Sequence, residues 1–394
     1  MKKILVIGAG FLQDFVICKA KSMGYEVLAV DGNPEAIGFK NTDKYKVIDI
    51  VDEKACLEYA KTENIDGVLT AATDYGVLSA AYIAQEMGLP GLNYEVAKLI
   101  KNKYKVRKCL YEHKVDDTEQ VYEVDEHTDL KKLAEKIKLP VIVKPSDGSG
   151  SRGICRVDDV TTFESACINA IKSSVTNRAT VETFILGKEY GAESLVVNGE
   201  IHVLGIMQKW MTKPPYYAEL GHAIPTDLSC ELEQRATQCV KKAIKALGIN
   251  FGSVNMDMLI TTEGKIHIID IGARMGGNMI GPCIIPYGTG IDYMANMIRN
   301  IAGDEVDIKP VEQSATATRL LAFDGGVIKQ LPDFGALEKE YGVEIYHHME
   351  IGQVVEQYHT NLDGCGYIVA KSQKVESAIN NAKKVLSIIE RQIF

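Results

Sequence analysis

Residues 253–278 read SVNMDMLITTEGKIHIIDIGARMGGN and predict a β-hairpin. Both halves are rich in apolar and β-branched residues, and the turn residues Glu263 and Gly264 separate them. A turn centred there places Asp257 directly opposite Asp270, with the two side chains about 5 Å apart on one face. Two like charges at that distance destabilise a hairpin unless a divalent cation with oxygen ligands neutralises them. The pattern therefore predicts a metal site on Asp257 and Asp270; the alternative is a pair of solvated acids on an exposed strand.

The same strand predicts where an anion would bind. Gly272 and Arg274 follow Asp270 at a period of two residues, so all three share one face. A glycine in a strand lets a ligand approach the backbone closely. Arg274 is therefore expected to reach an anion held by the cation. The opposite face is apolar apart from His267, and it carries Met256, Met258, Ile260, Ile269 and Ile271.

The composition is that of a globular protein with a large core. The chain has 394 residues, of which 46% are hydrophobic and 25% charged, so two or three domains are expected. The net charge is −9 and no stripe of alternating basic and aromatic residues occurs, so nucleic acid is not an expected partner. The nine cysteines show no C-x-x-C pair, which favours free thiols in a reducing compartment. Because no signal-peptide pattern and no bilayer-length apolar run are found, we expect a cytoplasmic protein without a membrane partner.

An alternation of strands and helices over residues 1–95 predicts a doubly wound parallel sheet. The first strand ends in the turn GAG at residues 8–10, and Asp31 follows the second strand at a distance typical of a ribose-binding acid. Gln13 stands where a dinucleotide-binding turn has its third glycine. The alternatives are a nicotinamide site, a helix N-terminus that faces a substrate carboxylate, and a purely structural turn. The carboxyl edge of the sheet adds two substrate candidates, Thr73 and Asp74.

Residues 139–157, LPVIVKPSDGSGSRGICRV, predict a strand, a glycine–serine loop and a second strand. Lys144 ends the first strand, and backbone N–H groups of the loop Ser146–Gly153 can surround phosphate oxygens. The loop lacks G-K-[ST] and leads into a strand, so it is not a Walker A loop. It predicts a mobile phosphate cover, with an ordinary surface hairpin as the alternative. Residues 96–138, which precede it, are expected to be helical and highly charged, and taken alone their basic stretch 101–114 predicts a solvated helix face.

Taken in order, these motifs resemble the ATP-grasp superfamily, and the resemblance covers nearly the whole chain. NKYKVRKCL (102–110) is similar to the family's phosphate-contacting helix start, LPVIVKPSDGSGSRG (139–153) to its lid, and VETFILGKEY (181–190) to its interlobe hinge. In the hinge the family uses main-chain atoms to bind adenine and an acid to bind ribose. The resemblance implies that ATP is bound by Lys103, Lys144, Ser149, Gly150, Ser151, Gly153, Glu182, Phe184, Ile185 and Glu189.

The hairpin is similar to the family's metal-binding segment. Asp257 and Asp270 fall on the two metal-binding acids, which implies Mg²⁺, or Mn²⁺ in its place, as the cofactor beside ATP. DIGAR, residues 270–274, stands where the family usually has an acid, a spacer, Asn, a small residue and Arg. Arg274 matches, but Gly272 replaces Asn and Asp270 replaces the commoner Glu. One ligand is therefore missing from a second Mg²⁺ site, and a water or substrate oxygen would have to replace it.

The resemblance implies an ADP-forming ligase that makes C–N bonds. In this family ATP activates a carboxylate as an acylphosphate, and an amine, or less often another nucleophile, displaces phosphate. PYYAELGHAIP (215–225) is similar to a segment of ligases that join amino acids, so Glu219 and His222 are expected to bind or act on the amine. Lys209 is a further candidate, and a structural histidine is the alternative for His222. The expected catalytic residues are Arg274, His222 and Lys144.

The expected fold class is α/β and α+β, with a Rossmann-like N-terminal domain, a two-lobed ATP-grasp domain and a small C-terminal α+β subdomain. The expected boundaries are 1–95 for the Rossmann-like domain, 96–185 for the small lobe and its linker helices, 186–310 for the large lobe and 311–394 for the C-terminal subdomain. The expected partners are a small-molecule carboxylate and an amine. A homodimer is left open.

Three alternatives remain at this point. One is another enzyme on the same scaffold: a bicarbonate-dependent carboxylase, a carbamoyl-phosphate-type enzyme or a purine-pathway ligase. Another is a nucleotide-binding protein without catalysis, of which Gly272 would be a sign. The third is a nicotinamide-dependent oxidoreductase built on residues 8–13 and Asp31, which leaves the hinge, the glycine loop and the acid pair unexplained.

Overall fold

The computed structural model describes residues 1–118, 120–148, 153–214 and 216–394. Its N-terminal unit contains the strands β1 Lys3–Ile7, β2 Glu26–Asp31, β3 Lys44–Val47 and β4 Gly67–Leu69, and the helices α1 Phe11–Ser22, α2 Glu53–Glu63 and α3 Val77–Met87. The strands form a parallel sheet in the order β3-β2-β1-β4. Residues 4–7 of β1 are fully buried, as expected for a central parallel strand covered on both faces.

The next segment contains α4 Tyr94–Ile100, α5 Lys103–Glu112, β5 Val121–Asp125, α6 Leu130–Ala134, β6 Val141–Pro145, β7 Cys155–Val157, α7 Phe163–Lys172 and β8 Arg178–Thr183. Its antiparallel sheet has the order β5-β8-β6-β7. The helical interpretation of residues 96–138 is wrong at β5. This strand forms because its residues pair along β8, a contact that is distant in sequence and outweighs the charged composition.

A long antiparallel sheet dominates the rest of the chain. It begins with β9 Lys188–Val197, β10 Glu200–Met211, β11 Glu219–Ile224, β12 Gly252–Ile260 and β13 Ile266–Gly272, accompanied by the helices α8 Cys230–Ala246, α9 Ile285–Thr289 and α10 Tyr293–Ala302. Asn198 and Gly199 join β9 to β10, with φ of 50° and 79°. Two successive residues with positive φ are the signature of a type I′ hairpin turn, as the Asn-Gly pair predicts.

The C-terminal segment extends this same sheet. It contains β14 Ala315–Leu320, β15 Gly326–Val327, α11 Phe334–Tyr341, β16 Val343–His347, β17 Val354–Val355, β18 Gly366–Ser372 and α12 Val375–Ile393. The strand order is β13-β12-β9-β10-β11-β14-β18-β16, so β14 pairs with β11 and joins the C-terminal strands to the sheet. Among the residues that the structure describes, none of the helices has the length and apolarity to cross a membrane.

Half of residues 210–225 lie in strands, although their prolines and aromatic residues favour a loop. β10 continues to Met211, and β11 places Glu219 opposite Met211 and His222 opposite Lys209. Pro214, Tyr216 and Tyr217 lie between the two strands, whereas Trp210 belongs to β10 and Pro225 follows β11. β11 is held from its other side by β14. Glu219 and His222 are therefore placed by the pairing of β11 with β10, and β14 holds the end of the same strand at Ala223 and Ile224.

The metal-binding hairpin has the predicted Asp257–Asp270 pairing, with one irregularity. From Asn255 to Asp257 the strands pair as expected, but Met258 pairs with Ile268 because a bulge shifts the register by one residue at Ile269. The turn accordingly lies one residue earlier than predicted, and Gly264 follows it with φ of 75°. The bulge has a structural consequence at the site described next, because it redirects the carbonyl of Ile269.

Candidate functional site

A cavity of about 970 Å³ lies where the N-terminal unit, the β5–β8 sheet and the long sheet meet. Its wall includes the predicted residues Lys103, Lys144, Glu182, Phe184, Ile185, Glu189, His222, Asp257, Asp270 and Arg274. Lys209, Glu219, Thr73 and Asp74 also belong to this wall. The predicted loop residues Ser149, Gly150 and Ser151 lie outside the described residues. Gly153 is described but lies away from the cavity wall, in a left-handed conformation with φ of 69°.

Asp257 and Asp270 face each other across the hairpin, and each has a lysine beside it. Lys209 Nζ lies 2.8 Å from Asp257 Oδ1, and Lys103 Nζ lies 2.5 Å from Asp270 Oδ1. Burial raises the pKa of Asp257; at Asp270 burial acts in the same sense, but the Lys103 ammonium outweighs it and the pKa is lowered. Each lysine thus balances the charge of the carboxylate beside it.

Lys144 belongs to a buried ion-pair group on the floor of the cavity. Its Nζ lies 3.0 Å from Glu182 Oε2, and Arg107 Nε lies 3.3 Å from the same oxygen. Lys144 Nζ and Arg107 Nη2 also donate to the bulged carbonyl of Ile269, each at 3.3 Å. Burial lowers the pKa of Lys144. The bulge and the Glu182 carboxylate thus fix this ammonium at the cavity wall, where it can bind a phosphate oxygen.

The Lys144→Ala variant is expected to raise the KM for ATP and to lower kcat, each by about tenfold. In the parent protein the Lys144 ammonium would bind phosphate, and the variant loses this contact. Arg107 remains in the variant and still pairs with the buried Glu182. Steady-state kinetics with ATP as the varied substrate measures both effects. Lys265→Ala is the matched control, because Lys265 is an exposed lysine that pairs with Asp117 at 3.1 Å outside the cavity. An unchanged ATP dependence in Lys144→Ala would remove Lys144 from the site.

The predicted hinge forms one end of the cavity. Phe184 and Ile185 follow β8, and the amide of Phe184 donates to the carbonyl of Pro140 at 3.1 Å. The Arg156 guanidinium lies over the Phe184 ring at 4.2 Å from its centroid. Leu259 lines the same end from β12. This combination of ring, aliphatic and guanidinium surfaces is suited to a flat aromatic group such as a nucleobase.

Lys209 connects several acids of the long sheet. Besides Asp257, its Nζ lies 2.5 Å from Glu219 Oε1 and 3.8 Å from Glu189 Oε2. These carboxylates raise the pKa of Lys209 although burial opposes them. Burial, together with the Asp257 and Glu219 carboxylates, raises the pKa of Glu189 to about 7. The second oxygen of Glu219 accepts a hydrogen bond from Asn278, so Glu219 is already paired on both oxygens.

Arg274 is held by a network that reaches across two units of the fold. Its Nε and Nη2 lie 2.9 and 3.1 Å from the two carboxylate oxygens of Asp74, and Nη1 donates to Asn255 Oδ1 at 3.2 Å. Asn255 in turn donates to the buried Glu193 at 2.7 Å, which also accepts from Tyr293 at 2.7 Å. Burial raises the pKa of Glu193 to about 8. The guanidinium is thereby fixed in the cavity wall that also contains Asp257 and Asp270.

Because Gly272 has no side chain, the ion pair between Asp74 and Arg274 can occupy the space beside it. A Cβ atom at residue 272 would lie 2.8 Å from Asp74 Oδ1 and 2.9 Å from Arg274 Cζ. Contacts that short require one of the neighbours to move. A side chain at residue 272 would therefore displace the ends of the Asp74 and Arg274 side chains from their present contact.

His222 is buried in the wall beside Lys209. Within the described part of the chain its Nδ1 has no hydrogen-bond partner, and its backbone amide donates to Thr318 Oγ1 at 3.2 Å. Burial lowers the pKa of His222 to about 4, with Lys209 acting in the same sense. The imidazole is therefore neutral at physiological pH, and it can exchange hydrogen bonds with a ligand.

Side chains of the N-terminal unit occupy the space around the glycine turn at residues 8–10. Asp31 Oδ2 accepts a hydrogen bond from the Ala9 amide at 2.8 Å. Gln13 donates to the Ala71 carbonyl at 2.5 Å, and a Cβ atom at Gly10 would lie 2.9 Å from Gln13 Oε1. The side chain of Gln13 thus fills the space next to the turn where a pyrophosphate would have to approach. This geometry disfavours the nicotinamide alternative.

Three residues of the site were missed by sequence reasoning: Arg107, Asn255 and Glu193. Arg107 lies four residues after Lys103 on α5, a spacing that places both side chains on one helix face. Asn255 lies two residues before Asp257, so it shares the face of the acids and sits opposite Gly272. These two spacings were available in the sequence. Glu193 lies on β9, and no motif or regular spacing links it in sequence to the acids of the hairpin.

Comparison with known proteins gives one domain match. The sequence profile of the ATP-grasp domain matches residues 137–282. Among curated proteins, the chain is 23% identical over 412 residues to the formate-dependent phosphoribosylglycinamide formyltransferase of Sulfurisphaera tokodaii, covering 98% of this chain and 96% of that protein.

Solved structures resemble the whole chain. The L-amino acid ligase from Bacillus licheniformis superimposes with a TM-score of 0.84 at 23% identity, covering 99% of this chain and 98% of the other. The phosphoribosylglycinamide synthetase from Anaerococcus prevotii superimposes with a TM-score of 0.77 at 25% identity, covering 100% and 98%. The likeness thus extends over every unit described above.

Proposed function

Because the chain belongs to the ATP-grasp superfamily, we propose that it couples a carboxylate to an amine and that its substrate is an amino acid. Like the ligases that it resembles, it uses ATP and Mg²⁺, forms a C–N bond and releases ADP. The likeness to the L-amino acid ligase concerns the fold alone at its 23% identity. The substrate class therefore has to be argued from the cavity.

The facing acids fit Mg²⁺. This ion is usually bound by one or two carboxylates together with substrate phosphates and water. Asp257 and Asp270 supply the two carboxylates, and the described residues contain no group of three or more His, Cys, Asp or Glu placed to hold a metal. Both acids would hold Mg²⁺ with phosphate oxygens and water as the other ligands. When bound, the ion neutralises charge on those oxygens.

The remaining cations of the site are placed for the two chemical steps. An oxygen of the substrate carboxylate bonds to the γ-phosphorus of ATP while the bond to ADP breaks, which gives an acylphosphate. The amine then bonds to the carbonyl carbon, phosphate leaves and the amine loses a proton. Lys103 and Lys144 would hold phosphate oxygens, and Arg274 would stabilise the acyl oxygen in both steps. The buried, neutral His222 would orient the amine.

The charge balance of the cavity wall is the observation that supports an amino acid. In the described residues of this wall, each Lys or Arg forms an ion pair with a carboxylate. The pairs are Lys103–Asp270, Lys144–Glu182, Arg156–Asp158, Lys188–Asp227, Lys209–Asp257 and Arg274–Asp74. Lys209 also pairs with Glu219 and Glu189, so the carboxylates outnumber these cations, which suits a substrate that carries an ammonium group, such as an amino acid.

The alternatives fit the same wall less well. A phosphoribosyl substrate, which the names of two relatives contain, needs cations for its phosphate in addition to those that hold ATP. The described wall offers none that lacks an acid partner. Bicarbonate would leave the end of the cavity lined by Phe11 and Tyr367 without an occupant. A non-catalytic nucleotide-binding protein would not need the Arg274 network, which lies beyond the phosphate-binding lysines.

Phosphate release from ATP tests the proposal directly. The assay contains Mg²⁺ and a panel of single amino acids, pairs of amino acids, bicarbonate and a phosphoribosylamine. We expect release that depends on an amino acid, is fastest with a second amine present, and yields ADP. Release that depends on bicarbonate or on the phosphoribosylamine would replace the proposal by the corresponding alternative. AMP and pyrophosphate as products would contradict the acylphosphate route.

A further inference from the structure

The cavity end farthest from the hinge has an aromatic wall. Phe11 at the start of α1 stacks with Tyr367 of β18, with ring centroids 6.4 Å apart and planes at 17°. His348 packs edge-on against Phe11 at 5.9 Å. Leu12 completes this wall, and a Cβ atom at Gly277 would lie 3.4 Å from its Cδ1. Because Gly277 follows Arg274 by three residues, the aromatic wall and the Arg274 guanidinium belong to adjoining parts of one cavity.

The polar groups at this end are already bonded within the protein. Tyr367 donates its hydroxyl proton to Asn278 Oδ1 at 3.2 Å, and Asn278 donates its amide to Glu219. His348 Nε2 lies 3.1 Å from the Gly364 carbonyl, to which it donates. The wall therefore presents ring faces and aliphatic carbon to a ligand. A charged side chain placed here would lose its hydration without gaining a counter-charge from these residues.

The aromatic wall is backed by packing that keeps it open. Phe15, one turn along α1, packs edge-on against Tyr346 at 5.4 Å, and Phe11 packs edge-on against Phe15 at 5.7 Å. These rings join a buried cluster that also contains Met279, which follows β13, and Leu320 of β14. The end of the cavity is thus a preformed apolar cleft, of the kind that binds an apolar group without reorganisation.

From this wall we infer that the substrate carries an apolar side chain, branched aliphatic or aromatic, which contacts Phe11 and Leu12 while its carboxylate lies at Arg274. The inference rests on the proposed function for the reaction, but binding of the apolar group can be measured without it. It separates amino acids by their side chains. L-leucine and L-phenylalanine are accepted, L-serine and L-glutamine have the same net charge but lose the apolar contact, and L-lysine and L-aspartate bring an unpaired charge.

The single tryptophan of the chain gives a binding assay that needs no turnover. Trp210 lies in the cavity wall, so its fluorescence reports on ligands there. In the presence of ADP and Mg²⁺, we expect L-leucine and L-phenylalanine to titrate this signal with a Kd at least about tenfold lower than that of L-serine, L-glutamine, L-lysine or L-aspartate. Equal or tighter binding of the polar or charged amino acids would overturn the inference.

Phe11→Ala should weaken binding of L-leucine and L-phenylalanine about tenfold while the Kd of ADP stays within about twofold. Phe11→Leu keeps an apolar contact and should show an intermediate effect, which separates a specific loss from misfolding. Phe39→Ala is the matched control, because Phe39 stacks on Tyr45 at 4.3 Å in the same N-terminal unit but away from the cavity. Unchanged binding in Phe11→Ala would overturn the inference. Tight binding of apolar amino acids without phosphate release would support it and contradict the proposed function instead.

Discussion

The Asp270→Asn variant should lose activity by on the order of 10³-fold in kcat while its fold remains intact. Asp270 is the acid opposite Asp257 in the hairpin and the partner of Lys103. The amide keeps the shape of the side chain, but it removes one of the two charges that would hold Mg²⁺ and leaves Lys103 without its acid. Phosphate release measures the loss, and titration with Mn²⁺ followed by electron paramagnetic resonance measures metal affinity independently of turnover.

Asp117→Asn is the control for this change. Asp117 pairs with Lys265 at 3.1 Å on the outer side of the same hairpin, where both side chains are largely exposed. Exposed pairs of this kind contribute little, so its activity and its Mn²⁺ affinity should stay within about twofold of the parent protein. If Asp270→Asn retained normal Mn²⁺ affinity, the acid pair would not be the metal site.

Local patterns predicted the parts of the site that lie on one hairpin. The period of two residues along a strand, together with a turn centred on Glu263 and Gly264, predicted Asp257 opposite Asp270, and the structure has this pair although the turn lies earlier and a bulge shifts the register. The Asn198-Gly199 turn is local in the same way, because two successive positive φ angles favour these residue types. Such features depend on neighbours in sequence, so the sequence alone carries their geometry.

Contacts between distant segments could not be predicted. The bulge at Ile269 is matched by Arg107 and Lys144, which lie more than 120 residues away and supply the donors for its carbonyl. β11 was taken for a loop because its flanking prolines hid a short strand that depends on β14 for its second neighbour. In both cases tertiary hydrogen bonds decide the backbone conformation, and no local spacing signals them.

The most informative departure from the family pattern is Gly272, and restoring the usual residue there should be harmful. We expect Gly272→Asn to lower kcat by about 10²-fold, although the family usually has Asn at this position. Any Cβ atom at residue 272 meets Asp74 Oδ1 at 2.8 Å and Arg274 Cζ at 2.9 Å. The new side chain would displace the Asp74–Arg274 ion pair, and the guanidinium would leave the position from which it stabilises the acyl oxygen. Steady-state phosphate release measures the change.

A double variant separates this steric cause from a general loss of stability. Asp74→Ala alone should lower kcat by about tenfold, because Arg274 loses the carboxylate that fixes its Nε and Nη2. If the two residues compete for one space, Asp74→Ala should cost almost nothing in the Gly272→Asn background, which gives a coupling energy measurable in a double-mutant cycle. Gly335→Asn is the matched control, since a Cβ atom there meets its nearest neighbour at 3.6 Å on the exposed face of α11. Full activity in Gly272→Asn would contradict this prediction, because it would mean that Arg274 does not need its ion pair with Asp74.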